Sequence, residues 1–227
     1  MQTMKTLKAL GALLTYPSAE LVAALPDLHA AIVDEAVVDK ARRARLKALL
    51  RWMAEQDLLD LEEAYVELFD RGRATSLHLF EHVHGESRDR GQAMVDLKGM
   101  YRRAGLTLSP HELPDYLPAV LEYLSLRPAA EVKDMLGDCA HILRSLGAQL
   151  VKRDSPYAAV IDAVLAVAGE AGLRKGHADD AREEKSLDEE WAEEPVVFGP
   201  AAAPCSPPAR RPGPPRAAEA PGRAPPA

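Results

Sequence analysis

The fold turns on residues 129–168, AAEVKDMLGDCAHILRSLGAQLVKRDSPYAAVIDAVLAVA. Val132, Met135, Leu136, Cys139, Ile142, Leu143, Leu146 and Leu150 recur at steps of three and four, which sets them on one side of a helix. The spacing predicts one long helix after Pro128. Ser155 is a candidate cap for the next, with Pro156 in its first position, where a missing N–H costs nothing. Val160, Ile161, Val164, Leu165 and Ala168 then form its apolar side. Neither half alternates as a half-buried strand would.

The same period extends towards the N-terminus. Leu7, Leu10, Leu13 and Leu14 open a helix that Pro17 stops. Ser18 can cap a second, carrying Leu21, Val22, Leu25, Leu28 and Ile32, with a kink or break expected at Pro26. A third is expected from about Asp39 to Ala54 and a fourth from about Asp57, ending at Arg71-Gly72-Arg73. A short element follows over 76–83, and then a helix marked by Met94, Leu97, Tyr101 and Ala104 that Gly105 closes. In SPHELPDYLPAVLEYLS (109–125), Asp115 is the expected N-cap, with Pro118 at N3 and Leu117, Val120, Leu121 and Leu124 on one face. The reading is an all-α single-domain bundle of seven to nine helices over residues 1–173.

Composition agrees. Of the 227 residues, 47% are apolar but only 5% aromatic, and β-branched runs are scarce, which disfavours a sandwich or barrel. The net charge of −7 is unevenly placed: residues 179–194 hold nine acids and two bases. Residues 174–199 read as an acidic, flexible segment with an apolar island at Trp191 and Val196-Val197-Phe198. Residues 200–227 hold ten Pro and nine Ala and read as a disordered tail. The one dense basic run, Lys40 to Arg51, lies on a single predicted helix and reads as a solvated face, so no nucleic-acid partner is expected. Two cysteines, Cys139 and Cys205, make neither a disulfide framework nor a four-thiolate zinc site. Neither a signal peptide nor a membrane-spanning run is read, and the expected compartment is the cytoplasm.

Candidate chemistry is sparse. His78, Glu81 and His82 match H-x-x-E-H, a pattern that on a helix can hold zinc while the Glu activates a bound water. That would make the protein a zinc-dependent hydrolase. Against it, the element is short, no third ligand is evident, and the stripe also suits the polar face of an amphipathic element opposite Leu79, Phe80 and Val83. No nucleophile elbow, phosphate loop or dinucleotide fingerprint is present.

Several segments together are specific. LKALGALLTYPSAEL (7–21), YVELFDRGRATSLHLFEHVHGESRDRGQAMVDL (65–97), ELPDYLPAVLEYLS (112–125) and DEEWAEEPVVFG (188–199) resemble the NarJ-type assembly chaperones of respiratory nitrate reductase, within the TorD-like group of molybdoenzyme chaperones. The resemblance implies an all-helical, non-enzymatic cytoplasmic protein without a cofactor of its own. It would hold the apo catalytic subunit, partly by its N-terminal segment, until the molybdenum cofactor is inserted. A chaperone for another molybdoenzyme is the alternative within the group. The group's E-x-x-D-H pattern stands here as Glu112-Leu113-Pro114-Asp115-Tyr116, with Tyr in place of His. By resemblance, Glu112, Pro114, Asp115 and Tyr116 are the expected client-binding residues, joined by His78, Glu81 and His82.

Overall fold

The computed structural model describes residues 4–83, 88–109 and 112–173. His84 and the expectations on 174–199 and 200–227 lie outside them. Nine α-helices and two short 3-10 turns make up the described residues: α1 (Lys5–Ala12), α2 (Ala19–Glu35), α3 (Lys40–Glu55), α4 (Leu58–Phe69), α5 (Arg88–Arg103), α6 (Leu117–Ser125), α7 (Ala129–Asp138), α8 (Ala140–Lys152) and α9 (Ala158–Ala168). The turns, Arg73–Thr75 and Leu79–His82, lie between α4 and α5.

Local chemistry sets most boundaries. Ser18 Oγ accepts from Leu21 N at 3.2 Å, Asp39 Oδ1 from Ala41 N at 2.9 Å, and Asp57 Oδ1 from Leu59 N at 3.0 Å. Each satisfies an amide that a helix start leaves unpaired. Helix α1 has no such residue of its own. The Glu35 carboxylate, at the end of α2, accepts from Lys5 N at 3.1 Å and Thr6 N at 2.6 Å instead, placing an anion at the positive end of the α1 dipole.

Two helices form the axis. On α9 every residue from Ala159 to Leu165 is buried, as expected of a helix that is apolar all round. Leu7 and Leu10 on α1, and Leu13 and Leu14 just past its end, have no exposed surface, and burying each contributes about 1.5–3 kcal/mol. Helix α1 lies against α2, α6 and α9; α7 and α8 flank α9, and α3 bridges α2 and α9. A Cβ on Gly11 would stand 3.1 Å from the Pro118 carbonyl oxygen and 3.3 Å from Leu121 Cβ, so a glycine is what lets α1 approach α6 this closely.

Five local expectations are corrected. Pro26 does not break α2, which runs unbroken for 17 residues; the ring is exposed, so water can take up the freed carbonyl. The long helix after Pro128 is two, α7 and α8, parted at Cys139 (φ −89°, ψ 0°). The apolar side continues through the joint, which hides the break from a periodicity reading. Ser155 heads a single turn before α9 rather than capping it, its carbonyl accepting from Ala158 N at 3.1 Å. Segment 76–83 is not an α-helix: His78 is extended (φ −89°, ψ 105°) and only Leu79–His82 coil. Helix α6 is capped by Tyr116 rather than Asp115, placing Pro118 one position earlier than expected, still in the first turn.

Candidate functional site

The last two corrections share one cause. Residues 77–79 and 115–117 lie antiparallel around a bridge between His78 and Tyr116. Leu79 N donates to Asp115 O at 3.1 Å, and Leu117 N to Leu77 O at 2.8 Å. This pairing holds both segments extended. It keeps 76–78 out of a helix and delays the start of α6 by one residue.

Asp115, freed from capping, turns its carboxylate inward. It has no exposed surface. It accepts from Phe80 N at 3.1 Å and sits 3.4 Å from His78 Nδ1. That hydrogen bond to Asp115 raises the His78 pKa above its ordinary value; desolvation opposes the shift, and the Asp115 and Glu81 charges add to it. The His78 and Tyr116 rings lie 5.3 Å apart.

Above this junction opens a cleft of about 450 Å³, lined by Tyr16, Tyr65, Phe69, Asp70, Leu77, His78, Ser109, Glu112, Leu113 and Tyr116. Its floor is polar but satisfied: Tyr65 Oη donates to Leu14 O at 2.8 Å and stands 3.0 Å from Tyr116 Oη. Its lips are apolar, with Tyr16 50% and Leu113 44% exposed. Its rim is acidic through Asp70 and Glu112, and Glu62 lies nearby. Desolvation, then Glu62 and Asp70, raises the Tyr16 phenol pKa above its ordinary value.

Of the seven expected residues, three line the cleft: His78, Glu112 and Tyr116. Pro114 and Asp115 are buried behind it, the Pro114 carbonyl accepting from Tyr101 Oη at 2.6 Å. Glu81 and His82 do not reach it. Glu81 pairs with Arg90 at 3.6 Å, and His82 Nε2 lies 2.8 Å from Ser76 O. Sequence reasoning missed Tyr16, Tyr65, Phe69, Asp70 and Leu113. The TYPS turn after α1 was the available signal for Tyr16.

The zinc reading fails on this geometry. His78 is extended, so the i, i+4 alignment of His78 and His82 is lost, and their rings serve different partners. Among the described residues no three His, Cys, Asp or Glu side chains converge as a metal site would require.

The described residues form an all-helical protein with a cleft over the His78–Tyr116 bridge. Comparison with known proteins gives the lineage. The family profile of the nitrate reductase delta subunit matches residues 35–162. The Escherichia coli K12 nitrate reductase molybdenum cofactor assembly chaperone NarJ is 46% identical over 192 residues, covering 82% of this chain and 81% of that protein. NarW of the same strain is 42% identical over 203 residues, covering 86% and 84%. A crystal structure from Archaeoglobus fulgidus, of a protein assigned to redox-enzyme maturation, shares the fold at a TM-score of 0.50 and 20% identity, covering 71% of this chain and 90% of that one. The chain belongs to the nitrate reductase delta subunit family.

Proposed function

We propose that this protein is a dedicated assembly chaperone, without catalytic chemistry of its own, for the molybdenum-containing catalytic subunit of a respiratory nitrate reductase. It binds the apo subunit in the cytoplasm, partly through that subunit's N-terminal segment, and releases it once the cofactor is in place. The observation that carries this reading is the cleft over the His78–Tyr116 bridge, with aromatic walls, apolar lips and an acidic rim. An amphipathic segment laid there would bury its apolar side chains between Tyr16, Phe69 and Leu113, and set Lys or Arg against Asp70 and Glu112. The clients named for the NarJ relatives support the same assignment. No helix among the described residues is long and apolar enough to cross a membrane.

The client-binding roles are proposed for His78, Glu112 and Tyr116 at the cleft, with Pro114 and Asp115 as the frame that shapes it. The test is capture by the tagged full chain from nitrate-respiring cells. Recovery of the catalytic subunit lacking its cofactor is the expected result. Recovery of a different molybdoenzyme in its place would overturn the choice of client.

A further inference from the structure

A second cleft, of about 580 Å³, opens between α3, α4 and the α8–α9 connection, lined by Trp52, Glu67, Arg71, Arg153, Ser155 and Tyr157 among others. Nothing in the client reading uses it. Tyr157 forms a partition between the two clefts. Its ring centroid lies 5.9 Å from that of Trp52 on this side, and 5.2 Å and 6.4 Å from those of Phe69 and Tyr65, which line the first cleft.

The chemistry of the second cleft differs from that of the first. Its cations are guanidinium groups. Arg153 donates to Thr75 Oγ1 at 3.2 Å and is thereby held across the connection. Arg71 is exposed, and no described residue hydrogen-bonds or ion-pairs with it. Glu67, on α4, stands four positions before Arg71, which lies past the end of that helix, and forms no ion pair with it; Asp154 is the other acid of the lining. Trp52 is half-buried and presents an aromatic surface. Tyr157 is 1% exposed, and its hydroxyl has no hydrogen-bond partner among the described residues.

We infer that this cleft is a binding site for a small ligand that joins a flat apolar body to one oxyanion, a phosphate or carboxylate. The flat body lies against Trp52, which the buried Tyr157 ring backs, and Arg71 takes the anion, with Ser155 able to add a hydroxyl donor. The Glu67 and Asp154 carboxylates disfavour a bare polyanion, which is why both halves of the ligand are needed. The site is independent of client capture, so either can fail alone.

The probe is phenyl phosphate, titrated calorimetrically into the full chain beside inorganic phosphate and phenol. Saturable binding of phenyl phosphate with a dissociation constant of about 1 mM or tighter, at least about tenfold tighter than either fragment, is expected. Arg71→Ala should weaken it about tenfold, while Tyr16→Ser, in the other cleft, leaves it unchanged. Tyr157→Phe, which deletes only an unpartnered hydroxyl, should fold with an unchanged or higher Tm and keep the stacking half of the site. No saturable heat from phenyl phosphate, binding no tighter than that of inorganic phosphate, or indifference to Arg71→Ala would each overturn the inference.

Discussion

Two buried aspartates, Asp115 and Asp162, are 0% and 1% exposed, and the folded chain treats them in opposite ways. Asp162, on the all-apolar α9, meets two permanent cations. Arg42 Nε donates to it at 2.8 Å, Arg45 also donates, and Leu173 N completes the set at 2.7 Å. Asp115 meets one backbone amide and one imidazole, beneath an open cleft. The first arrangement ties α3 and the chain after α9 to the central helix. The second is held by an imidazole, whose charge depends on pH and whose pKa is raised, beside an open cleft. A burial cost met by guanidinium groups marks scaffold here. One met by a histidine at a cleft marks the edge proposed here for client binding.

The largest effect should come from stripping Asp162 of its cations. Arg42→Ala combined with Arg45→Ala leaves a buried carboxylate unpaired and should cost about 3–5 kcal/mol in denaturant unfolding. A loss of a few tenths would mean that Asp162 is no anchor and would break the contrast.

Asp115→Ala should cost less, about 1–3 kcal/mol, because it orphans the Phe80 amide and releases His78. It should also loosen the 112–116 loop, lowering client affinity along with stability. An equal loss of affinity in the Arg42/Arg45 variant under conditions where it remains folded would erase the distinction between scaffold and edge.

A smaller effect sharpens the comparison through pH. His78 is raised above its ordinary value, so the fold favours its protonated form. The stability this adds is complete below the unfolded-state value of about 6.5 and is lost as pH rises through the raised folded value. The stability difference between the natural chain and His78→Gln should therefore shrink from pH 5.5 to 8.5, read by urea unfolding. A difference that is flat across that range would remove the histidine from the account. The Asp162 network should show no such dependence, because arginine keeps its charge throughout.

The two aspartates also show what a sequence can disclose. The helix starts at Ser18, Asp39 and Asp57 were legible because capping is local: the acceptor and its amides are two or three residues apart. So was each strand of the site taken separately, His78 in one segment and Glu112 to Tyr116 in another. Their antiparallel bridge was not, since 38 positions separate the pair and neither segment alternates over enough residues to announce a strand. Asp162 went unremarked inside VIDAVLAV, and the basic run on α3 read as wholly solvated. Only the packing of α3 on α9 shows that Arg42 and Arg45, more than a hundred residues away, neutralise it. Tyr65 and Phe69 stand four positions apart, at the helical spacing of core residues. They do pack as core, but one side of each ring also walls the cleft.

The central claim is that the cleft over the His78–Tyr116 bridge grips the client. Its most direct test is calorimetric titration of a synthetic peptide from the N-terminus of the nitrate reductase catalytic subunit into the full chain, set beside a Tyr16→Ser/Leu113→Ser variant. Both residues are about half exposed and lie at the cleft lips rather than in the core, so the variant should keep its Tm within about 2 °C. Micromolar binding by the natural chain, weakened about tenfold or more in the variant, is the expected result. Equal affinity for the two proteins would contradict it.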